Sequence, residues 1–359
     1  MLNRRKRIAF GIFSHYKKNT VKLHELRSLF WECTLRCNLQ CLHCGSDCST
    51  NTQTPDMPLD DFLNVLDSVA KHIPPRKVFV IFSGGEPLMR KDLEECGTAV
   101  TKRGYSWGMV TNAVALTSTR LISLINSGMK SISISLDGLE KSHNTLRRNS
   151  NSFSHALNAI EMISKIPELT FDVITCASGL NINELNEVKN LLIVRKVKNW
   201  RINTIFPVGR GALNKELQLR DVDFIKLMHF IEKTRKEKKI HVSYSCEGFL
   251  GNYEGRVRDS FFFCRAGINI GSVLADGSIS ACTNLRSRFI QGNIYRDDFI
   301  TVWNTRFEKH RNREWSRKGI CSDCDSFSYC EGNGLHLYND NEELQLCHLQ
   351  KICKGERLL

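Results

Sequence analysis

Residues 37–44 read Cys-Asn-Leu-Gln-Cys-Leu-His-Cys and lie shortly after a predicted strand. The thiolates of Cys37, Cys41 and Cys44 can wrap one face of a cubane iron–sulfur cluster, whose four irons each need a ligand. One iron then keeps an open coordination position. The alternative is a zinc site with His43 as fourth ligand, but zinc usually takes two separated pairs of ligands, and adjacent side chains point apart. The spacing therefore favours an iron–sulfur cluster.

A second motif, Ser83-Gly84-Gly85-Glu86-Pro87, follows directly on another predicted strand. Two glycines at the carboxyl end of a strand let the backbone approach a ligand closely, and Glu86 adds an anionic partner for an amine. A Gly-Gly turn after a strand is ordinary on its own. Together with the cysteine loop after the preceding strand, it predicts a ligand site.

Length and composition are those of a soluble globular protein of one large or two ordinary domains: 359 residues, 41% hydrophobic, with a formal net charge of +13. The 15 cysteines are an odd number, so a closed disulfide framework would leave one thiol over. No stretch approaches the roughly 20 apolar residues of a membrane span. The apolar stretch at 8–13 is shorter than that of a secretory signal. We therefore expect a cytoplasmic protein, in which clustered cysteines usually serve metal binding or catalysis.

The region from about residue 26 to 208 alternates short apolar runs with amphipathic segments, which predicts strand-then-helix units and a parallel sheet. Six strands are too few for a closed eight-stranded barrel, so we expect an α/β fold with a partial (β/α)6 TIM-type barrel. Helical spacing of apolar residues after Pro58 and before Gly128 predicts covering helices, with another at 221–239. The predicted strands are 27–32, 77–82, 106–111, 131–136, 170–176 and 200–206.

The sequence changes character after about Ile240, where helical periodicity fades, turns multiply, and eight of the 15 cysteines follow. Residues 272–282 are predicted to form a hairpin with Asp276-Gly277 as a tight two-residue turn. We therefore predict a domain boundary near residue 240. The predicted parts are a basic amino-terminal segment at 1–25, a core domain at 26–239 and a small Cys-rich domain at 240–359.

The cysteine loop and the Gly-Gly-Glu-Pro segment together resemble the radical S-adenosylmethionine (SAM) superfamily, and the resemblance extends over most of the chain. In that family three cysteines hold a 4Fe–4S cluster, and its open iron chelates the amino and carboxylate groups of SAM. The resemblance implies that Cys37, Cys41 and Cys44 hold the radical-generating cluster. It also implies that Gly84, Gly85, Glu86 and Pro87 hold the SAM amino group.

Further motifs carry the same resemblance at the ends of later strands. Thr111-Asn112 matches a Thr-Asn-Gly motif, with Ala113 in place of Gly, and Ser135 begins a segment that contacts the SAM ribose in the family. The run from 143 to 147 resembles the His-Asp-x-x-Arg of the peptide-modifying branch, where Arg reaches the SAM carboxylate. A guanidinium fork suits a carboxylate in geometry and charge. The resemblance adds three SAM-binding residues: Asn112, Ser135 and Arg147.

The carboxyl-terminal third resembles the SPASM extension of that branch, which carries auxiliary iron–sulfur clusters. One position departs from its pattern, because Gly334 stands where the family has a cysteine ligand of the first auxiliary cluster. That cluster would have Cys264, Cys282 and Cys246 as candidates and no clear fourth ligand, so it is either absent or has an open iron that binds substrate. The resemblance assigns the second auxiliary cluster to Cys321, Cys324, Cys330 and Cys347.

Five cysteines remain outside these assignments. Cys33 and Cys176 lie in predicted strands and Cys96 in a predicted helix, where a free thiol acts as a small hydrophobe. Cys48 is close to the cysteine loop, but its spacing fits no known ligand pattern. We predict structural roles for all five, with Cys353 as a reserve cluster ligand.

The resemblance implies a radical enzyme that cleaves SAM to a 5′-deoxyadenosyl radical and modifies a peptide or protein by hydrogen abstraction. Residues 31–37 and 43–48 also resemble, more weakly, a group of anaerobic gut-bacterial enzymes associated with small lipoproteins. The expected partners are the peptide or protein substrate, a flavodoxin or ferredoxin-type electron donor, and a separate leader-peptide-binding protein. The basic net charge suits acidic partners of this kind. Neither the substrate nor the bond formed follows from the sequence.

Three other functions are weighed against this one. The first is maturation of a haem-type cofactor, and the second is a non-catalytic iron–sulfur electron carrier or binding scaffold. The third is a basic zinc protein that binds nucleic acid, which draws only on the net charge. We expect no nucleic-acid partner, because the cysteine and glycine motifs point to SAM chemistry.

Overall fold

The computed structural model describes residues 4–245 and 247–358. Within them, one mixed sheet of ten strands forms the centre of the molecule, with the strand order β10-β9-β8-β1-β2-β3-β4-β5-β6-β7. The strands are β1 (Ser28–Thr34), β2 (Phe79–Gly84), β3 (Ser106–Thr111), β4 (Met129–Ser135), β5 (Thr170–Ala177), β6 (Asn199–Thr204), β7 (His241–Tyr244), β8 (Ile270–Val273), β9 (Ser278–Ser280) and β10 (Gly292–Asn293).

Thirteen α-helices lie in the described ranges, and most of those between β1 and β7 connect one strand to the next. The helices are α1 (Arg4–Leu23), α2 (Leu59–Ala70), α3 (Leu93–Lys102), α4 (Ser118–Asn126), α5 (Glu140–Arg147), α6 (Ser152–Ile163), α7 (Leu185–Val194), α8 (Arg210–Leu213), α9 (Asp221–Glu237), α10 (Phe299–Thr305), α11 (Glu308–Arg311), α12 (Phe327–Cys330) and α13 (His348–Leu358).

The six predicted strands are β1 to β6, and they pair in parallel in chain order. The predicted α/β class is thereby confirmed. Two further strands extend the parallel part of the sheet: β7 beside β6, and β8 beside β1 with Ser28 opposite Ile270. Each has four residues, too few to show a periodicity in the sequence.

Apolar stripes explain how the helices pack on this sheet. In α2, which begins after Pro58, Phe62 and Leu66 are buried, and the Phe62 ring stacks on Trp31 of β1 at a centroid distance of 4.3 Å. After α4 the chain turns at Gly128, whose φ is 102°, a value that favours glycine. The helices predicted from these stripes are present.

The hairpin of β8 and β9 corrects the prediction of a two-residue turn. Its loop has three residues, since the Leu274 amide donates to the Ser278 carbonyl and the Gly277 amide donates back to the Leu274 carbonyl. Only Gly277 of the predicted Asp276-Gly277 pair has a positive φ, 81°. A three-residue loop that ends in a left-handed glycine is typical of three-residue hairpins.

The amino-terminal basic segment forms the long helix α1. Its Phe10 is buried against Phe261, with ring centroids 4.1 Å apart, and also contacts Phe249 and Tyr329. Lys17 adds an ion pair of 2.7 Å to Glu331. Among the residues that the structure describes, no helix combines the length and apolar character needed to cross a membrane.

Candidate functional site

The cysteine loop lies at the carboxyl end of β1, at the edge of the sheet where the parallel strands end. The Cys37 amide donates to the Ser49 carbonyl at 3.0 Å, which closes the loop on itself. Cys37 and Cys41 are buried, Cys44 is half-buried, and the three thiols pack in one cluster with Cys48. The structure therefore brings together the three thiols that the sequence picks out.

These thiols face a cavity of about 250 Å³, here called the cysteine cavity. Pro87 begins a short helical turn behind it. Six of the seven predicted SAM-binding residues line the cavity, and Thr283 and Asn284 from the carboxyl-terminal region complete its wall. The predicted residues on the wall are Gly84, Gly85, Glu86, Asn112, Ser135 and Arg147.

The Gly-Gly segment runs against the backbone of the cysteine loop. The Gly85 amide donates to the Thr34 carbonyl at 2.8 Å, and the Glu86 amide donates to the Arg36 carbonyl at 2.9 Å. A Cβ on Gly84 would meet the Thr34 oxygen at 2.1 Å, and one on Gly85 would meet the Arg36 oxygen at 2.4 Å. Both positions therefore require glycine.

Glu86 is the buried carboxylate of the cavity, with 1% of its surface exposed. Its oxygens accept hydrogen bonds from the Thr111 hydroxyl at 2.6 Å, the Asn112 amide at 2.7 Å and the Leu88 amide at 3.1 Å. Burial raises the pKa of Glu86, and these donors oppose the shift. Ala113 has a φ of 65°, in the left-handed region, which explains why glycine is usual at this motif position.

Arg147, which is predicted to reach the SAM carboxylate, makes two polar contacts at the cavity wall. Its Nη2 lies 2.6 Å from Oδ2 of the buried Asp137, and its Nη1 donates to the Cys41 sulfur at 3.8 Å. Burial acts to raise the pKa of Asp137, but Arg147, the two nearby histidines and the Cys176 amide together outweigh it and lower the value to about 2. The guanidinium thus lies between a carboxylate and a thiol at the cavity wall.

His43, the fourth ligand in the zinc interpretation, is directed to Asp137. Its Nε2 lies 3.5 Å from the Asp137 carboxylate, and the two groups lie with the Cys176 thiol within 4.8 Å of one another. Burial lowers the pKa of His43 to about 4. His43 therefore pairs with Asp137, next to the thiols of Cys37, Cys41 and Cys44.

Arg210 is a site residue that the sequence analysis missed. Its Nε donates to the Cys41 carbonyl at 2.8 Å and its Nη2 to the Cys48 carbonyl at 3.0 Å. Its backbone amide donates to the Cys44 carbonyl at 2.9 Å, and Nη1 pairs with Asp47 at 2.6 Å. No spacing rule joins α8 to a loop more than 160 residues away, so the sequence carried no signal for this clamp.

The thiols assigned to the second auxiliary cluster lie close enough to raise one another's pKa values. Burial raises the pKa of Cys321, Cys330 and Cys347, and neighbouring thiols of the same set, including Cys324, add to it. The Cys330 sulfur accepts a hydrogen bond of 3.1 Å from the Asn333 amide. Four thiols that repel one another's charge suit a cluster that binds them as thiolates.

Gly334 lies where a cysteine side chain has no room. A Cβ there would meet the Glu247 carbonyl oxygen at 2.6 Å and the His336 ring at 2.6 Å. Cys264 and Cys282 are half-buried and pack against the main core, and Cys246 lies outside the described residues. The first auxiliary cluster stays a prediction.

Comparison with known families agrees with this architecture. Residues 31–192 match the model of the radical SAM superfamily, and residues 264–325 match that of SPASM, an iron–sulfur cluster-binding domain. The fold and these matches thus define an α/β protein with an iron–sulfur cluster-binding domain. The chain carries a radical SAM domain and a SPASM domain, it is an enzyme, and the two domains imply a 4Fe–4S cluster and auxiliary clusters.

Two of the similar curated relatives carry different functional names. An AdoMet-dependent heme synthase of Methanosarcina barkeri (strain Fusaro) is 26% identical over 334 residues, which cover 87% of this chain and 92% of the relative. The mycofactocin maturase MftC of Mycolicibacterium smegmatis is 26% identical over 314 residues, 85% of this chain and 76% of the relative.

Solved structures share the fold at low sequence identity. The chain named native anSMEcpe with bound AdoMet has a TM-score of 0.71 at 18% identity, with 92% of this chain and 94% of that chain covered. Streptococcus suis SuiB bound to S-adenosylmethionine has a TM-score of 0.68 at 16% identity, with coverages of 89% and 76%. These likenesses extend across both predicted domains.

Proposed function

We propose that this chain cleaves SAM at a 4Fe–4S cluster held by Cys37, Cys41 and Cys44, and uses the resulting 5′-deoxyadenosyl radical to modify a peptide or protein. The observation that supports this most is the convergence of three thiols and the buried Glu86 on one cavity. The thiols and the close Gly-Gly backbone suit a cluster with one open iron beside an amine-binding carboxylate. Bound there, the cluster supplies the electron that cleaves SAM.

The wall of the cavity has a group for each polar part of SAM. Glu86 binds the amino group, because its buried carboxylate is held in place by three donors and has no cationic side chain hydrogen-bonded to it in the described structure. Arg147 holds positive charge near the carboxylate, while Asp137 fixes its orientation. Asn112 and Ser135 lie on the same wall and bind the nucleoside.

A peptide substrate is supported by the cavity wall and by the comparisons. Thr283 and Asn284 bring the carboxyl-terminal region to the edge of the cavity, so a substrate held there would meet the reacting carbon of SAM. One structural neighbour is SuiB bound to its precursor peptide SuiA, and one relative is named as a mycofactocin maturase. The net charge of +13 favours an acidic peptide and an acidic flavodoxin-type or ferredoxin-type donor.

Incubation of the anaerobically reconstituted, reduced enzyme with SAM and short peptides encoded beside its gene tests this function. We expect a mass change on one peptide together with 5′-deoxyadenosine, and neither product with Cys37→Ala. Cys96→Ala, a buried cysteine of α3 outside the cavity, should retain both products. Failure of every neighbouring peptide to change mass would count against a peptide substrate.

Maturation of a haem-type cofactor is the second candidate. It is favoured by the heme synthase relative, since the alignment covers 92% of that protein. An iron porphyrin would need to enter the same cavity, between the cysteine loop and Asn284. The same assay with an iron porphyrin in place of peptide distinguishes the two functions: a mass change on the porphyrin supports maturation, and a change on the peptide supports the first proposal.

A further inference from the structure

The fourth cysteine near the loop, Cys48, lies inside the cysteine cavity. It is 2% exposed and packs in one cluster with Cys37 and Cys41. Cys44 packs against the same cluster, and Cys48 lines the cavity that also contains Glu86. The sequence analysis predicted a structural role for Cys48. In the structure it lies beside the three proposed cluster ligands and adds a fourth thiol to the cavity wall.

The backbone holds Cys48 in this position from both sides. The Cys48 carbonyl accepts from Arg210 Nη2 at 3.0 Å, and the next residue, Ser49, pairs with Arg36 and accepts from the Cys37 amide at 3.0 Å. Arg210 also holds the carbonyl of Cys41. The Arg210 side chain therefore holds the backbone of Cys48 and that of Cys41, one of the three proposed cluster ligands.

The Cys48 thiol makes a long hydrogen bond to a backbone oxygen. Its closest oxygen partner is the Ser46 carbonyl at 3.8 Å. Cys33, by comparison, is buried in β1 and donates to the Ser83 carbonyl at 3.3 Å. Cys96 donates to the Asp92 carboxylate at 3.7 Å, away from the cavity. Cys48 is thus a buried thiol that packs in one cluster with the three proposed ligands and with Leu39.

We propose that Cys48 binds the open iron of the cluster in the absence of SAM and is displaced when SAM binds. This inference rests on the proposed assignment of Cys37, Cys41 and Cys44 as the cluster ligands. The exchange involves no redox change: the Cys48 thiol gives a proton to solvent as its sulfur binds iron, and regains one when the SAM amine and carboxylate replace it. Such a cap protects an iron that three thiolates leave exposed.

Controlled oxidation of the reconstituted enzyme tests the proposal, because a cluster with one unprotected iron loses that iron to give a 3Fe–4S form. We expect little 3Fe–4S signal by electron paramagnetic resonance from the wild type. Cys48→Ala should give a severalfold larger signal, and added SAM should suppress it. Cys48→Ser, which keeps the volume of the side chain, guards against a packing defect, and Cys96→Ala is the matched buried-cysteine control.

SAM binding provides an independent readout. Removal of an internal competing ligand leaves the binding-competent state fully populated, so Cys48→Ala should bind SAM severalfold more tightly than wild type in equilibrium dialysis. Equal 3Fe–4S yields and equal SAM affinities in wild type and Cys48→Ala would overturn this inference alone. A wild-type protein that assembles no iron and sulfide would overturn the proposed function with it.

Discussion

Glu86 is the residue on which the proposed SAM site depends most, because three hydrogen-bond donors hold its buried carboxylate in a fixed orientation. A carboxylate in such a position accepts hydrogen bonds from the SAM amino group with little reorganisation. We expect Glu86→Ala to weaken SAM binding by about 1.5–3 kcal/mol, roughly tenfold to a hundredfold in Kd. Equilibrium dialysis with the reconstituted protein measures it.

Glu86→Gln is the matched variant, since an amide oxygen can still accept from the Asn112 amide while the charge is lost. Its Kd should lie between those of wild type and Glu86→Ala. If Glu86→Ala binds SAM as tightly as wild type, the carboxylate has no role at the amino group.

Arg210 provides a second prediction at the scale of the residue. Arg210→Ala removes the side-chain donors to the Cys41 and Cys48 carbonyls and the ion pair to Asp47, so the cysteine loop should open more often. We expect faster loss of iron to a chelator, followed by absorbance. Arg220→Ala is the control, because the Arg220 side chain is 76% exposed and pairs only locally with Asp223. Equal rates of loss for both variants would contradict the clamp.

The residues of the site differ in how far sequence could reveal them. Cys37, Glu86 and Asn112 sit in short motifs, whose chemistry can be read from residue type and spacing. Arg210 acts on a loop far away in the chain, and the pairing of Arg147 with Asp137 depends on how the chain turns between the end of β4 and the last turn of α5. Contacts of that kind follow from the fold, and no local pattern encodes them.

At the scale of the element, the hairpin of β8 and β9 and the segment after it are joined to β1 by the buried Glu32. The Glu32 side chain is 1% exposed, pairs with Arg286 and accepts from the Ala275 amide at 3.0 Å. Glu32→Ala leaves both donors without this partner, so we expect a loss of about 1–3 kcal/mol in the free energy of unfolding. Urea denaturation of the apoprotein measures it.

An exposed ion pair just before β1 provides the control for Glu32→Ala. Glu25, just before β1, pairs with Arg27 in an ion pair whose side chains are 47% and 50% exposed. Glu25→Ala should cost about 0–1 kcal/mol, as exposed pairs do. Equal losses for Glu25→Ala and Glu32→Ala would mean that the Glu32 pair does not tie the hairpin to the sheet.

The elements that sequence reveals are those with long periodic signals. Strands β1 to β6 were predictable because each is an apolar run followed by a helical stripe. Strands β7 and β8 have four residues each and pair with strands far from them in sequence. The loop between β8 and β9 was predicted with one residue too few, because an Asp-Gly pair suits both two-residue and three-residue turns.

At the scale of the whole molecule, the carboxyl-terminal region completes the central sheet. Strand β8 covers the edge of β1, and Lys351 of α13 donates to the Leu219 carbonyl near the start of α9 at 2.7 Å. The predicted boundary at residue 240 thus lies between parts that share one sheet. Phe10 of α1 adds a third contact, to Phe261 and Tyr329.

A chain of residues 1–245 should therefore fold poorly by itself. It would expose the β1 edge, and an uncovered strand edge is a site of aggregation. We expect insoluble or oligomeric material in size-exclusion chromatography, against a well-behaved full chain. A monomeric fragment with the far-ultraviolet circular dichroism of a folded α/β protein would show that the core does not need β8.

The central claim is that the cysteine cavity generates a radical from SAM, and the most direct measurement is 5′-deoxyadenosine formed by the anaerobically reconstituted, reduced enzyme. We predict 5′-deoxyadenosine and methionine from SAM with the wild type and with Cys96→Ala, and none with Cys37→Ala or Cys41→Ala. The claim would be contradicted if the wild-type enzyme, with a full complement of iron and sulfide, formed no 5′-deoxyadenosine even in the presence of the substrate that it modifies.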